Sequence, residues 1–453
     1  MPAKRILTAA LSFLLAASFA APSGAQALSA DGFEYTVTGS AATVTGCTST
    51  CPTTLVIPDT LGGYSVTRIG ASVFIAESLV ALTIPSTVTS IGNFAFYNNR
   101  LTTVVIPDSV TTIGESAFED NLLTSATIGN SVTSIGAEAF RDNNLTTVTI
   151  GNSVTSIGNS AFYSNDLTTV TIPNSVTTIG DFAFQDNALT TVTIPNSVTS
   201  IGIQAFMDNA LTTVTIPNSV TSIGTNAFAD NYLTTVTIPN SVTSIAYGTF
   251  ADNALTTVTI PNSVTSIGSS AFSGNALTTL TIPNSVTSID DFAFYSNALT
   301  SVTFLGNAPT AGGSDVFTIN SGLASVTRSH TATGWGSTWG GVAVVIADAR
   351  ATATVKPTVT GTSTVGRTLT AAKGTWTGYP TPTFTYQWYA CTTAVSAART
   401  TVPTACNKIT GATRSTFKLT STQRGKYVAV LVKGTSLRTT ATTWLSKTTA
   451  KVR

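Results

Sequence analysis

From Phe74 to Phe294, apolar residues return to the same places every 22 residues. Eleven phenylalanines (74, 96, 118, 140, 162, 184, 206, 228, 250, 272 and 294) keep that spacing without a slip. The clearest copy, Leu167 to Ala188, reads LTTVTIPNSVTTIGDFAFQDNA. Counted from its leucine, positions 1, 4 and 6 (Leu167, Val170, Ile172) are apolar, with Thr169 and Thr171 between them. This alternation predicts a strand with aliphatic side chains inward and threonines outward. Pro173 ends the pairing. Val176 and Ile179 then bury a second short extended segment, Gly180 is expected to permit a tight turn, and Ala183 with Phe184 returns to the core. A period of this length marks one coil of a solenoid, which buries its apolar side only against its neighbours. Such a chain presents a long, uniform surface and no deep pocket, which favours binding over catalysis.

Three polar columns accompany the repeat. The first is Asn187, which closes the coil, with its equivalents Asn99, Asn121, Asn143, Asn165, Asn209, Asn231, Asn253, Asn275 and Asn297. Amides stacked in register are expected to bond the backbone of the coils above and below. The second is a pair of threonine files: Thr147, Thr169, Thr191, Thr213, Thr235, Thr257 and Thr279 beside Thr149, Thr171, Thr193, Thr215, Thr237, Thr259 and Thr281. With coils ~4.8 Å apart and flanking side chains roughly 7 Å apart along a strand, these files form a hydroxyl lattice. It is a candidate binding face, or simply a soluble dressing for an exposed strand. The third is Asp120, Asp142, Asp186, Asp208, Asp230 and Asp252, each just before the ladder asparagine. They read as turn aspartates in solvent, with calcium between coils as the alternative. Where coils differ, aromatic and thioether side chains recur: Phe94, Tyr97, Tyr163, Phe182, Met207, Tyr232, Tyr247, Phe292 and Tyr295. These either anchor a partner or fill space between coils.

The N-terminus adds a compartment. Lys4 and Arg5 precede an apolar run from Ile6 to Ala20, and Ala25-Gln26-Ala27 supplies small residues for cleavage, so residues 1–27 read as a signal peptide. No other segment is long and apolar enough to span a bilayer. Only 9% of residues are charged, against about 25% in a typical soluble domain, so hydroxyls must carry solubility. An even count of four cysteines in an exported chain favours the disulfides Cys47–Cys51 and Cys391–Cys406 over zinc. The net charge of +1 hides a strong asymmetry. Residues 28–349 hold all twenty acids against four arginines, a net of −16, whereas residues 351–453 hold fourteen cations and no acid. A split of this kind suggests a polyanion-binding segment.

The pattern LxxVxIPxxVxxIGxxAFxxN resembles the leucine-rich repeats of BspA-like bacterial surface proteins. The resemblance extends over residues 32–349. DGFEYTV (Asp31 to Val37) is similar to that family's entry strand, and FLGNAPTAGG with GWGSTWGG to its terminating segment. The coils here are 22 residues long, where the family often uses about one more, and asparagine stands in the column usually given to cysteine. TVGRTLTAAKGTWTGYPTPTFTYQWYAC and GATRSTFKLTSTQRGKYVAVLV resemble the immunoglobulin-like modules appended to exported bacterial proteins. Alternating runs such as FTYQW and YVAVLV fit a β-sandwich independently, with Trp388 as its core aromatic and Tyr427 as a corner tyrosine.

The expected architecture is therefore mainly β. It comprises a signal peptide (1–27), a leucine-rich-repeat solenoid of about eleven 22-residue coils with caps (28–349), and a basic immunoglobulin-like β-sandwich (350–453). Catalysis finds little support: the single histidine, His330, has no acidic partner nearby in sequence, and no GxSxG motif is present. No cofactor, metal or nucleic-acid partner is expected. The resemblance implies a secreted or cell-surface bacterial protein that adheres to an extracellular protein or glycan. Its binding threonines would be Thr147, Thr149, Thr169, Thr171, Thr191, Thr193, Thr213, Thr215, Thr235, Thr237, Thr257 and Thr259. The basic module would associate with an anionic cell-envelope polymer. The alternatives are ice binding through the threonine lattice and a structural matrix component.

Overall fold

The fold was obtained as a computed structural model that describes residues 27–311, 313–347, 349–379, 381–436 and 441–453. The expected signal peptide, apart from Ala27, lies outside the described residues. Nearly every element is a β-strand; the one helical turn among the described residues is the 3-10 segment Ser421–Gln423. No helix among the described residues is long and apolar enough to cross a membrane. The chain forms two compact units, residues 1–258 with 268–275, and residues 259–267 with 276–453. Solenoid turns number about 14 in all. The expected eleven counted only the regular coils, but the irregular first turns and the terminating turns wind as well.

In the first unit an antiparallel meander, Leu28–Ala30, Phe33–Thr38 and Ala41–Cys47, starts the stack. The Cys47–Cys51 disulfide lies at its end. Ala41–Cys47 then pairs in parallel with Tyr64–Ile69, the first rung of a ladder of two-residue strands running from Ser90–Ile91 to Ser222–Ile223. The TVT segments form the other ladder, in register from coil to coil, with Thr191 opposite Thr213 and Val192 opposite Val214. Leu167, Val176, Ala183 and Phe184 are wholly buried, and Ile179 nearly so. From Phe74 to Phe272 in this unit, successive phenylalanine rings stack 5.2–5.8 Å apart, inclined by 5–17°. Each such pair adds roughly 0.5–1.5 kcal/mol to the burial itself.

Gly180 does not serve the turn expected of it, since its φ is not positive. A Cβ there would lie 2.7 Å from Asn159 N and 2.8 Å from Gly158 C, so glycine is required for close approach to the preceding coil. The same holds at Gly136, Gly158, Gly202 and Gly224. The turn is made instead by two columns of non-glycine residues in the left-handed region. One contains Phe94, Ser116, Glu138, Ser160, Phe182 and Gln204 (φ 51–59°), the other the aspartate column (φ 50–58°). That conformation aims alternate N–H groups along the stacking direction. Phe182 N donates to Ile203 O (2.7 Å), Phe184 N to Ala205 O (2.9 Å) and Asp186 N to Met207 O (3.2 Å).

In the second unit Thr279–Ile282, Ser301–Phe304, Ser325–Arg328 and Val342–Ile346 continue as a parallel ladder, closed by the antiparallel strand Thr338–Trp339. Phe304, Phe317, Trp335 and Trp339 pack into one aromatic cap, with Trp339 Nε1 donating to Pro309 O (2.8 Å). Further along, Thr358–Thr360, Thr368–Ala372 and Thr416–Lys418 form one antiparallel sheet. Cys406–Lys408, Thr383–Cys391, Tyr427–Thr435 and Thr442–Leu445 form another. Leu369, Trp388, Leu419, Val428, Val430 and Val432 share one buried cluster, an arrangement consistent with a β-sandwich. Tyr427, Ala429 and Leu431 of the strand Tyr427–Thr435 face a second cluster around the Cys391–Cys406 disulfide, with Val395 and Leu445.

Candidate binding surfaces

The twelve candidate threonines, from Thr147 to Thr259, are all exposed. Thr259 belongs to the second unit and the others to the first. Each valine between a threonine pair turns inward, which leaves both hydroxyls of the pair on the outer face. Among the described residues nothing hydrogen-bonds to these hydroxyls. A different threonine file behaves otherwise: Thr111, Thr133, Thr155, Thr177, Thr199 and Thr221 each donate to the threonine carbonyl one coil back, at 3.0–3.3 Å. One file is thus spent on stacking and the other is open to solvent.

The open face is neither continuous nor flat. Thr169–Thr171, Thr191–Thr193, Thr213–Thr215 and Thr235–Thr237 make one four-stranded sheet. Thr147–Thr149 belongs to a separate sheet, and Thr257 lies in no strand. The break before Thr257 follows a coil in which Ala246 replaces the stacking glycine and a fully buried Thr249 replaces the core alanine. The Phe228 and Phe250 rings there are 5.8 Å apart, against 5.5 Å one coil earlier. Across the intact sheet Thr191, Thr193, Thr213, Thr215 and Thr237 line a hollow of about 800 Å³.

The asparagine column is engaged in backbone hydrogen bonds on both its amide nitrogen and its oxygen. Asn165 Nδ2 donates to Phe140 O (3.0 Å), Phe162 O (3.2 Å) and Tyr163 O (3.2 Å), while its Oδ1 accepts from Leu145 N (3.0 Å). Asn99, Asn121, Asn143, Asn187, Asn209, Asn231, Asn253 and Asn275 repeat the donation to the phenylalanine carbonyl of the coil before. In the aspartate column, burial and then neighbouring aspartates push Asp120, Asp208 and Asp230 above the usual carboxylate range. Among the described residues no three His, Cys, Asp or Glu side chains come together as a metal cage.

The columns at positions 16 and 19 lie side by side at the left-handed turn, and there the coils differ most. Arg141 reaches Asp142 (3.2 Å), Glu138 (3.3 Å) and Glu119 (3.8 Å), and its guanidinium lies 5.3 Å from the centre of the Tyr163 ring. Because Ser160 is small, a hollow of about 350 Å³ opens, lined by Arg141, Ser160, Tyr163, Phe182, Gln185 and Gln204. Phe94 with Tyr97 and Phe292 with Tyr295 meet edge to face at 6.0 and 5.6 Å, and so partly cover one another. Sequence reading singled out Tyr163 and Phe182 but missed Arg141, Gln185 and Gln204. The available signal was that positions 16 and 19 of successive coils all depart from the repeat together.

In the basic segment thirteen of the fourteen cations of residues 351–453 are exposed, and Arg438 lies outside the described residues. Lys356 sits over the Trp444 ring (4.8 Å) and Lys373 over Phe384 (4.4 Å).

A repeat profile described as BspA type Leucine rich repeat region (6 copies) matches residues 52–168, 133–255, 177–296 and 243–338, together more than half of the chain. No curated protein matches. Three solved structures resemble the chain over 67% of its length. A leucine-rich repeat protein from Bacteroides ovatus is 25% identical over 94% of its own chain, with a TM-score of 0.44. A leucine rich cell surface protein from Faecalibacterium prausnitzii is 26% identical over 94%, with a TM-score of 0.39. The pneumococcal vaccine antigen PcpA is 20% identical over 87%, with a TM-score of 0.47. These superpositions are loose; the recurring 22-residue unit and its profile match are what decide the matter. The chain belongs to the BspA-type leucine-rich repeat family.

Proposed function

We propose that this is a non-enzymatic bacterial surface protein that adheres to an extended extracellular protein or glycan through its threonine face. The supporting observation is the set of exposed hydroxyls without hydrogen-bond partners among the described residues, above all Thr191, Thr193, Thr213 and Thr215 in their hollow. Paired, outward hydroxyls every coil offer donors and acceptors to a polymer lying along the stack. In this reading residues 1–27 are removed on export and residues 28–349 form the solenoid. Residues 350–453 form an immunoglobulin-like sandwich whose exposed cations associate with anionic envelope polymers. Ice binding is the second reading, favoured by the in-register pairing of Thr191 with Thr213 and Thr193 with Thr215. The hollowing of that face weighs against it, because a flat crystal plane would touch only the rim.

The test is binding of the mature chain to panels of matrix proteins and glycans, alongside an ice-shaping assay. Thr213→Tyr is expected to weaken polymer binding at least roughly tenfold by placing a ring in the centre of the face. Faceted ice at micromolar protein, abolished by the same substitution, would transfer the function to ice. Undiminished polymer binding by Thr213→Tyr would remove the threonine face from the account.

A further inference from the structure

The hollow at Arg141, Ser160, Tyr163, Phe182, Gln185 and Gln204 is a second surface, distinct from the threonine face. Its walls combine two aromatic rings with amide, hydroxyl and guanidinium groups, all half-buried. At about 350 Å³ it lies at the small end of ligand sites, which run from roughly 300 to 1,000 Å³. Charge restricts the occupant from both directions. The lining holds one cation and no carboxylate, so a lysine or arginine side chain entering it meets Arg141. Behind the lining, Glu119, Glu138 and Asp142 surround Arg141 within 3.2–3.8 Å and more than cancel its charge. Asp186 and Asp208 add to the negative field felt by Tyr163, whose phenol is pushed up first by burial and then by Asp186. An anion is therefore repelled as well.

What remains is a neutral molecule with a flat apolar face and a rim of hydroxyls. We propose that this hollow binds a single uncharged pyranose ring of a neutral glycan. Tyr163 and Phe182 supply the apolar platform, and Gln185, Gln204 and Ser160 supply hydrogen bonds. Gln185 carries the clearest unmet need: its side chain hydrogen-bonds toward the Asp208 carboxylate, while its Oε1 is buried with no donor among the described residues. Turning the amide toward the hollow would let a sugar hydroxyl supply that donor. Arg141, held by three carboxylates and stacked on Tyr163, is a fixed wall and positions the ring beneath it.

The inference rests on the reading of the solenoid as a binding scaffold, and the test separates the two. The full mature chain is titrated, by ligand-observed NMR, with neutral oligosaccharides of glucose, galactose, mannose and N-acetylglucosamine, and with oligogalacturonate as the anionic control. At least one neutral series should bind with a Kd on the order of 1 mM or tighter. Phe182→Asn and Tyr163→Ala should each weaken it at least roughly tenfold. Both variants copy residues the array already accepts at those columns, Asn226 (φ 53°) and Ala229, so folding is preserved. The proposal is overturned if no neutral sugar binds, if oligogalacturonate binds better, or if the two variants bind like the parent. The threonine face is judged separately, by polymer binding of Thr213→Tyr, so the two readings fail on different variants.

Discussion

Asp208 and Asp230 occupy left-handed backbone because the N–H of each must point at the next coil, to Ala229 O and Ala251 O. Aspartate tolerates that conformation better than most residues, at the cost of stacking carboxylates in a file. Burial, and secondly the neighbouring aspartates, push both groups up. A carboxyl with a higher pKa folded than unfolded binds its proton more tightly in the folded chain. Stability is therefore gained as pH falls from the raised folded pKa toward the unfolded value of about 3.9, and lost as pH rises through that window. The double substitution Asp208→Asn, Asp230→Asn keeps the turn and removes the titration. Chemical denaturation should show the variant more stable than the parent near neutrality, with a smaller gain between about pH 7 and pH 4.5. An identical pH profile for both chains would show that the file does not repel itself.

A coil is held by what it puts against its neighbours, and the stacking glycine is the tightest of those contacts. Gly180→Ala would press a methyl group against Asn159 N and Gly158 C at under 3 Å, and should cost about 1–3 kcal/mol of unfolding free energy. Loss of stability below that range, measured by urea titration, would mean the coils part easily. The inward positions were legible in the sequence because burial writes a period: Leu167, Val176, Ile179 and Phe184 all occupy the places their spacing gave them. The role of Gly180 was not, since a glycine that spares a contact and one that permits a turn look the same in one dimension. Nor were the left-handed columns legible. Phe182, Glu138 and Ser160 have little intrinsic preference for φ near 55°, which inter-coil hydrogen bonds impose on them. The hollow at Tyr163 depends on side chains 22 residues apart meeting Arg141, so local pattern could not reveal it.

At the scale of the whole molecule the charges are segregated along the chain, with twenty acids before residue 350 and none after it. Exposed cations without acids among them attract anionic polymers, and that attraction is screened by salt over about 8 Å at physiological ionic strength. A chain of residues 28–453 should therefore be retained on isolated cell envelopes at low salt and released as sodium chloride rises through several hundred millimolar. A version ending near residue 349 should be retained less at every salt concentration. Retention indifferent to salt would point to a covalent or apolar attachment instead.

The asparagine of each regular coil in the first unit addresses the phenylalanine carbonyl one coil back and its own, and reaches no further. Excising or duplicating a complete 22-residue block would accordingly leave this asparagine contact the same at every surviving junction. Repeats this alike can be gained or lost by unequal recombination, so the length of the threonine face is open to inheritance in whole steps, without a new asparagine contact having to arise.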